Sequence, residues 1–535
     1  MSWSMLCNAV SLLLVIPVSH GVGQFRIVRL DLPDSDIVTA YEQSAVKNVL
    51  AAVNPKIFVG YWSVCADGKG FGYGNSYPSL DGHQITDALL WLDQVKVVKA
   101  NWDYVRSFQR SDGLLPLAIL PSEAGKKVGE GKALAEVSKN GGLYEHWVPG
   151  NPLGALASPT YIQNADVIYR ATLDKKWLTS QISSINLAAD YLAALTTEEG
   201  AVKGAGYYME RPARIESDGV TQCYAVDAFR RVAALDSVCG DGAAARRYLQ
   251  LAERIRYNFV TRFWVNNHFA EYFNPEHGLI TKHGLTDVDW AAIATDVATE
   301  DQRSILWPEL KDNELFHYGG MPTGIATLPE SYEDWEFTHP DRHDVAAMGR
   351  VWYLEAWARA RMGDAGGLLD GIRKVSQVGR DSGYSWYERY QRDSSGGFRV
   401  SGPKTYCEYP ANLIRIVQRF LFGVDLRLDG SVVLAPTVTG EFWQRGFGET
   451  LNVHGCTLSY RFLGDRIEGT YSGAKSQRLG VRFRPSQAPT RLYATVNGQT
   501  TKAVEKEGVI FVGLPETTGR EACKFQIVRK RTVRP

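Results

Sequence analysis

Cysteine is scarce: the 535 residues hold seven, far apart at Cys7, Cys65, Cys223, Cys239, Cys407, Cys456 and Cys523. No CxxC pair and no Cys/His zinc spacing occurs, so neither a disulfide scaffold nor a structural metal is implied. The cysteines read as small buried hydrophobes. Net charge is also absent. Lys plus Arg and Asp plus Glu number 59 each, so no global field draws in nucleic acid or an anionic membrane. No apolar run is long enough for a confident membrane span. Residues 5–18 come nearest, but Asn8 and Pro17 interrupt them. With small residues at 19–21 they read as a signal-peptide core within residues 1–24, although no Lys or Arg precedes them; that reading implies a secreted, extracellular protein. The sequence carries no Walker loop, no dinucleotide fingerprint behind a strand, no HExxH and no GxSxG. No cofactor and no metal is therefore expected.

The chain is too long for one compact unit, so at least two domains are expected. Residues 25–30 mostly alternate and read as a strand that needs a sheet, supplied either by a missing β-domain or by the C-terminal region. Residues 38–53 suit a short helix. The rest of an N-terminal segment over residues 25–75 is rich in Gly and aromatics and reads as irregular.

From residue 84 to about 422 the chain is helical and repetitive. Each unit is a helix, a short turn, a second helix and a long loop. The pairs are 84–91 with 95–109, 160–171 with 177–195, 220–235 with 242–263, 289–298 with 302–310 and 344–361 with 365–378; residues 410–422 open a sixth. Tyr248, Leu251, Ala252, Ile255 and Phe259 share one helical face, as do Val95, Val98, Trp102 and Val105. The first helices of the pairs are rich in Ala, aromatics and other apolar residues and suit an inner ring. The expected fold is mainly α: an (α/α)6 toroid over residues 76–423. Its long loops would all open at one end, which is where chemistry is expected.

After Gly423 the period changes to two, and Asn497-Gly498 is a hairpin signal. Residues 424–535 are expected to form a C-terminal antiparallel β-sandwich. The basic run Arg529-Lys530-Arg531 near its end suits a solvated face.

The loops carry carboxylates and aromatics. The carboxylates are Asp81, Asp112, Glu145, Glu210, Glu216, Asp218, Glu271, Glu333, Asp334, Glu336, Glu388 and Glu408. Glycoside cleavage needs two of them, a protonated acid and an ionised base or nucleophile. Ser76-Tyr77-Pro78-Ser79-Leu80-Asp81-Gly82-His83-Gln84-Ile85-Thr86-Asp87-Ala88 reads as a loop entering a helix, and the plain reading of Asp81 there is a helix cap.

That stretch resembles the loop opening the catalytic toroid of bacterial α-L-rhamnosidases, D-C-P-x-R-E-x-x-G-W-T-G-D-A, whose Glu is the general acid. With one residue deleted, Asp81 falls on that Glu and Asp87 on the later Asp. Tyr384-Ser385-Trp386-Tyr387-Glu388-Arg389-Tyr390 resembles the family's W-E-R-W segment, whose Glu is the general base. Cys407-Glu408-Tyr409 is similar to its N-H-Y helix, and Val432-Val433-Leu434-Ala435-Pro436 to the opening of its β-domain. The resemblance covers roughly residues 70 to 470. It departs where Leu80 replaces the Arg beside the acid, where the acid is a shorter Asp, and where Gln84-Ile85-Thr86 replaces G-W-T. These positions bear on acid strength and on the sugar wall.

The resemblance implies an exo-acting, inverting glycoside hydrolase on a carbohydrate substrate, α-L-rhamnose being the leading sugar. Asp81 is the expected acid and Glu388 the expected base. Low polarity from Tyr77, Trp386, Tyr387 and Tyr390 would raise the acid's pKa, and Arg389 would keep Glu388 ionised. Asp87, His146, Trp147, Glu216, Asp218, Trp335, Glu336 and Glu408 complete the expected substrate-binding set, along with Tyr77, Trp386 and Tyr387. Two rival classes stand beside this one. A toroidal polysaccharide lyase would want a Tyr or His base and a basic cluster, and the loops show no such cluster. A catalytically inactive sugar-binding protein is the other.

Overall fold

The computed structural model describes residues 28–68, 80–115, 155, 157–204, 216–337, 342, 344–484, 490–517 and 521–531. The expected signal peptide and the candidates Tyr77, His146 and Trp147 lie outside the described residues. No helix among the described residues is long and apolar enough to cross a membrane.

The helices are α1 (Ser35–Gln43), α2 (Leu80–Trp91), α3 (Val95–Arg106), α4 (Ala157–Thr172), α5 (Lys175–Ala194), α6 (Gly219–Cys239), α7 (Gly242–Arg262), α8 (Asp287–Ala294), α9 (Glu300–Leu310), α10 (Gly349–Met362), α11 (Ala365–Asp381), α12 (Glu408–Ile416) and α13 (Gly440–Arg445). Their ends follow local chemistry. Asp218 caps α6 by accepting from Thr221 N at 2.7 Å, and Gly240 ends it in the left-handed region at φ 91°. A Thr286–Asp289 capping box opens α8.

Contacts run from α2 to α4, α6, α8, α10 and α12, and from α12 back to α2. These six helices are buried almost all round; every residue of α8 is buried. A helix covered on most sides carries apolar residues on most faces, and the amphipathic period is accordingly weak in α2, α6, α8 and α10. The second helices bury one stripe only. In α7 it is Ala245, Tyr248, Ala252, Ile255 and Phe259.

Two expectations need adjustment. Residue 344 does not open an inner helix; α10 starts at Gly349. The helix expected to open a sixth pair, α12, has packing partners upstream in sequence. α1 packs on α11, and the π-helical turn Ser44–Val49 that follows it packs on α12. Asp34, the α1 cap, also binds Arg373 of α11 at 2.8 Å.

The C-terminal region forms two sheets. One runs in the order Arg29–Asp31, Phe447–Val453, Cys456–Leu463, Arg466–Ser472, Cys523–Arg531, Thr490–Val496, Gln499–Thr500. The N-terminal strand therefore pairs with the C-terminal region, Leu30 opposite Glu449. The other sheet holds five strands, and in it Val432–Leu434 runs parallel to Gln477–Val481, so it is not wholly antiparallel as expected. The turn at Asn497-Gly498 has both φ values positive, as a two-residue hairpin requires. No disulfide joins the described cysteines, and five of the six are buried.

Candidate active site

The N-terminal ends of α2, α10 and α12 meet, and each brings one ionisable side chain to the same place. Asp81 lies in the first turn of α2, Arg350 in the first turn of α10, and Glu408 opens α12. The fourth member, Glu388, comes from the hairpin Tyr387–Arg392/Phe398–Lys404 in the loop between α11 and α12. All four are buried. Exposed amides at helix N-termini favour negative charge, which suits three carboxyls at this point.

Arg350 organises the group. Its Nε donates to Glu408 Oε1 at 2.7 Å and its Nη2 to Glu408 Oε2 at 3.1 Å. The backbone N–H of Arg350 also donates to Glu408 Oε1, so Glu408 caps a neighbouring helix. The same guanidinium stands 3.5 Å from Glu388 Oε1. Arg389 Nη1 forms an ion pair with Glu388 Oε2 at 2.6 Å. Arg389 also faces Asp344 at 3.4 Å. Tyr406 hydrogen-bonds Asp81. Tyr406 is held by antiparallel bridging to Cys65, which gives the irregular segment before α2 a positioning task.

Two glycines make room. A Cβ on Gly402 would fall 2.6 Å from Glu388 Oε2, at a backbone φ of +78° that side chains rarely adopt. A Cβ on Gly349 would fall 2.9 Å from Glu408 Cγ.

Burial raises the Asp81 carboxyl to about 6, against the pull of Arg350, with Glu408 adding to the rise. Burial raises Glu388 to about 7 although Arg389 and Arg350 oppose it; Glu408 and Asp81 push it further. The expectation that Arg389 would hold Glu388 in its ionised range is thus overturned, because loss of solvation outweighs two cations. Glu388 feels the charge of Asp81, and both carboxyls feel that of Glu408, so the site's carboxyls titrate together.

The remaining expected residues are placed elsewhere. Asp87 binds Arg415 at 2.8 Å and Arg419 at 2.6 and 2.7 Å, low on α2, and those cations hold its carboxyl well below the usual range despite its burial. Asp218 serves as the α6 cap. Glu216 borders a cavity of about 380 Å³ with Lys203, Arg262 and Phe273. Trp386 is fully buried. Its Nε1 donates to Val375 O at 3.2 Å, and its ring covers Gly379, so it packs against α11 instead of forming a sugar wall. Tyr387 borders a groove of about 680 Å³ against α11. Glu336 belongs to a second buried group: it accepts from Tyr272 and lies 3.3 Å from His283, which also pairs with Glu271. These contacts, His283 foremost, lower its carboxyl to about 2 despite burial. Trp335 stacks on His277 at 3.9 Å beside it. Neither meets the Asp81–Glu388 group through any of these contacts.

Arg350, Tyr406 and Gly402 were not singled out from sequence. Arg350 had only a weak signal, being one of four charged residues in α10 with Glu355, Arg359 and Arg361. Tyr406 and Gly402 had none.

No protein-family model matches the chain, and no curated protein matches it. Solved structures do. An α-L-rhamnosidase from Dictyoglumus thermophilum matches at TM-score 0.58 and 12% identity, over 94% of this chain and 50% of that one. A GH78 family rhamnosidase of Bacillus sp. GL1 matches at 0.57 and 11%, over 84% and 41%. A structure titled sialidase matches at 0.61 and 11%, over 82% and 38%. The chain spans half or less of the length of each of these structures. At such identities the likeness establishes the fold, and the fold is that of the α-L-rhamnosidase-like glycoside hydrolases.

Proposed function

We propose that this chain is an exo-acting, inverting glycoside hydrolase, α-L-rhamnosidase-like, acting on a terminal sugar without a cofactor. In this reading α2 to α12 with α1 form an (α/α)6 toroid over residues 76–423, closed by the N-terminal helix. Residues 424–535 form a β-sandwich domain. Export through residues 1–24 belongs to the same reading, and amino-terminal sequencing of secreted protein tests it.

The observation that carries the proposal is the buried pair Asp81 and Glu388, brought from opposite ends of the helical region to one arginine. Asp81 protonates the leaving oxygen, for which a carboxyl raised to about 6 is suited. Glu388 activates water as the base, with Arg389 Nη1 2.6 Å from its Oε2. An inverting pair leaves room for that water, with carboxyls about 6.5–9.5 Å apart. In these roles Asp81 is protonated and Glu388 ionised when substrate is bound. Glu408, doubly bound to Arg350, positions that cation rather than reacting.

The lyase reading would need a basic cluster, but Arg350 and Arg389 are already paired with Glu408, Glu388 and Asp344. Tyr406, the base it would use, speaks against it: burial and the neighbouring Asp81 and Glu388 push its phenol upward, away from a working base. Release of nitrophenol from a panel of nitrophenyl glycosides, α-L-rhamnoside included, tests the proposal. Hydrolysis of one of them supports it. An ultraviolet rise on uronate polymers with no glycoside cleaved supports the lyase, and binding without cleavage supports an inactive sugar-binding protein.

A further inference from the structure

Beneath the Asp81–Glu388 group, toward the C-terminal ends of the helices, the same elements carry a second polar layer. Tyr353 lies one turn on from Arg350 in α10, and Arg415 two turns on from Glu408 in α12, each on the same helical face as the residue above it. The Arg415 guanidinium covers the Tyr353 ring at 3.7 Å. His83, two residues after Asp81 in the first turn of α2, reaches both Arg415 and Asn164 of α4. A layer that joins α2, α4, α10 and α12 lies on the inner side of these helices and forms a floor under the candidate site. We propose that Asn164 is a specificity-determining residue of that floor, donating its amide N–H to one hydroxyl of the bound sugar. The proposal rests on the glycoside hydrolase reading and deepens it.

The directions of the hydrogen bonds follow from donor chemistry. A guanidinium can only donate. Arg415 gives Nε to Asp87 at 2.8 Å, Nη1 to Asn412 Oδ1 at 2.7 Å and Nη2 to His83 Nε2 at 3.2 Å. His83 Nε2 is therefore the lone-pair nitrogen, and Nδ1 carries the proton. Nδ1–H donates to Asn164 Oδ1 at 2.8 Å. Burial, with Arg415 beside it, lowers the imidazole to about 3, in keeping with a neutral ring. Asn164 is thus held with its oxygen toward His83 and its amide nitrogen turned away. That nitrogen donates to no described residue and is not sealed from solvent; the side chain keeps 8% of its surface exposed.

A donor fixed in direction, on a helix and level with the turn that carries Asp81, reads one hydroxyl of a sugar. It is left unmade when that hydroxyl is missing, which is how a polar site rejects a close analogue. Each nitrogen of Arg415 is already engaged, so this guanidinium is not free to pair with a uronate, and the floor favours a neutral sugar.

The test uses the nitrophenyl glycoside that the full chain cleaves fastest, together with its monodeoxy analogues, on the parent and on two variants. Asn164→Ala removes the amide. Asn164→Asp keeps an acceptor for His83 and removes the donor. Both should lower kcat/KM about tenfold on the intact glycoside. On one monodeoxy analogue, the one lacking the contacted hydroxyl, Asn164→Ala and the parent should be equal. A role in packing alone would lower every analogue alike. If no glycoside is cleaved, the hydrolase reading falls, and the same comparison is read by calorimetric titration, starting from the nitrophenyl glycoside bound most tightly. A loss confined to one hydroxyl then still supports the donor. Equal loss on all analogues, no loss in either variant, or no binding of any glycoside overturns the proposal.

Discussion

Arg350 and Glu408 form a two-point ion pair, Nε to Oε1 at 2.7 Å and Nη2 to Oε2 at 3.1 Å, with both side chains buried. The pair joins α10 to α12 and leaves the guanidinium 3.5 Å from Glu388. Removing the cation would break the Glu408 ion pair and leave Asp81 and Glu388 with Arg389 alone. Arg350→Leu should destabilise the chain by about 3–5 kcal/mol in urea unfolding. Arg350→Lys should recover only part of this, since an ammonium cannot make the fork.

The pH dependence of the proposed hydrolysis follows from the pair's values. With Asp81 near 6 and Glu388 near 7, both are protonated well below pH 6 and both ionised well above 7. Only the singly protonated pair has an acid and a base together. The kcat/KM profile should therefore be a bell with its top between about pH 6 and 7. A flat profile from pH 5 to 9 would contradict this.

Gly402 offers a cleaner perturbation than the carboxyls. Gly402→Ala places a methyl against Glu388 Oε2 in a strained backbone conformation. Hydrolysis should fall by about tenfold or more, because a displacement of about 1 Å near reacting groups costs up to about a hundredfold. The variant should still bind sugar.

Glu449 supplies a stability test away from the site. It accepts from Tyr460 at 2.6 Å and Gln418 at 2.9 Å between the helices and the seven-stranded sheet, and burial raises it to about 7. The folded state thus binds its proton more tightly than the unfolded chain. Its contribution is fully present below about pH 4.5 and is lost as pH rises through 7. Glu449→Gln should match the parent near pH 5 and exceed it near pH 8 by about 1–3 kcal/mol. Equal stability differences at both pH values would show that ionisation is not involved.

Core packing is tested at Trp102 and Phe259, both buried as the helical spacing predicted. Trp102 stacks on Tyr161 at 3.9 Å and donates to Gln181 at 3.1 Å. Phe259 stacks on Phe269 at 4.7 Å. Either truncation to Ala should cost about 3–5 kcal/mol in urea unfolding.

Much of this architecture was readable from residue spacing, because a helix that must be covered on all sides and one that faces water differ in composition. The starts of α4, α6 and α8 fell within a turn of the expected positions for this reason. What spacing could not reveal was pairing across long stretches of chain. Nothing local tells that α1 packs on α11, or that Arg350 meets Glu408. Aromatic richness near Glu388 was misleading for a related reason. It does not say which face a ring takes, and Trp386 turns inward onto Gly379. Resemblance carried Asp81 and Glu388; contacts in three dimensions were needed to exclude Asp87 and Asp218 from their neighbourhood.

The central claim is that Asp81 gives the proton and Glu388 takes one from water. The most direct test compares Asp81→Asn and Glu388→Gln on a cleaved nitrophenyl glycoside and on one with a poorer leaving group, with and without azide. Asp81→Asn should lose most on the poor leaving group, which depends on protonation. Glu388→Gln should lose equally on both and regain rate with azide, giving a glycosyl azide of inverted configuration. Azide rescue of Asp81→Asn instead, or full activity in either variant, would contradict the assignment.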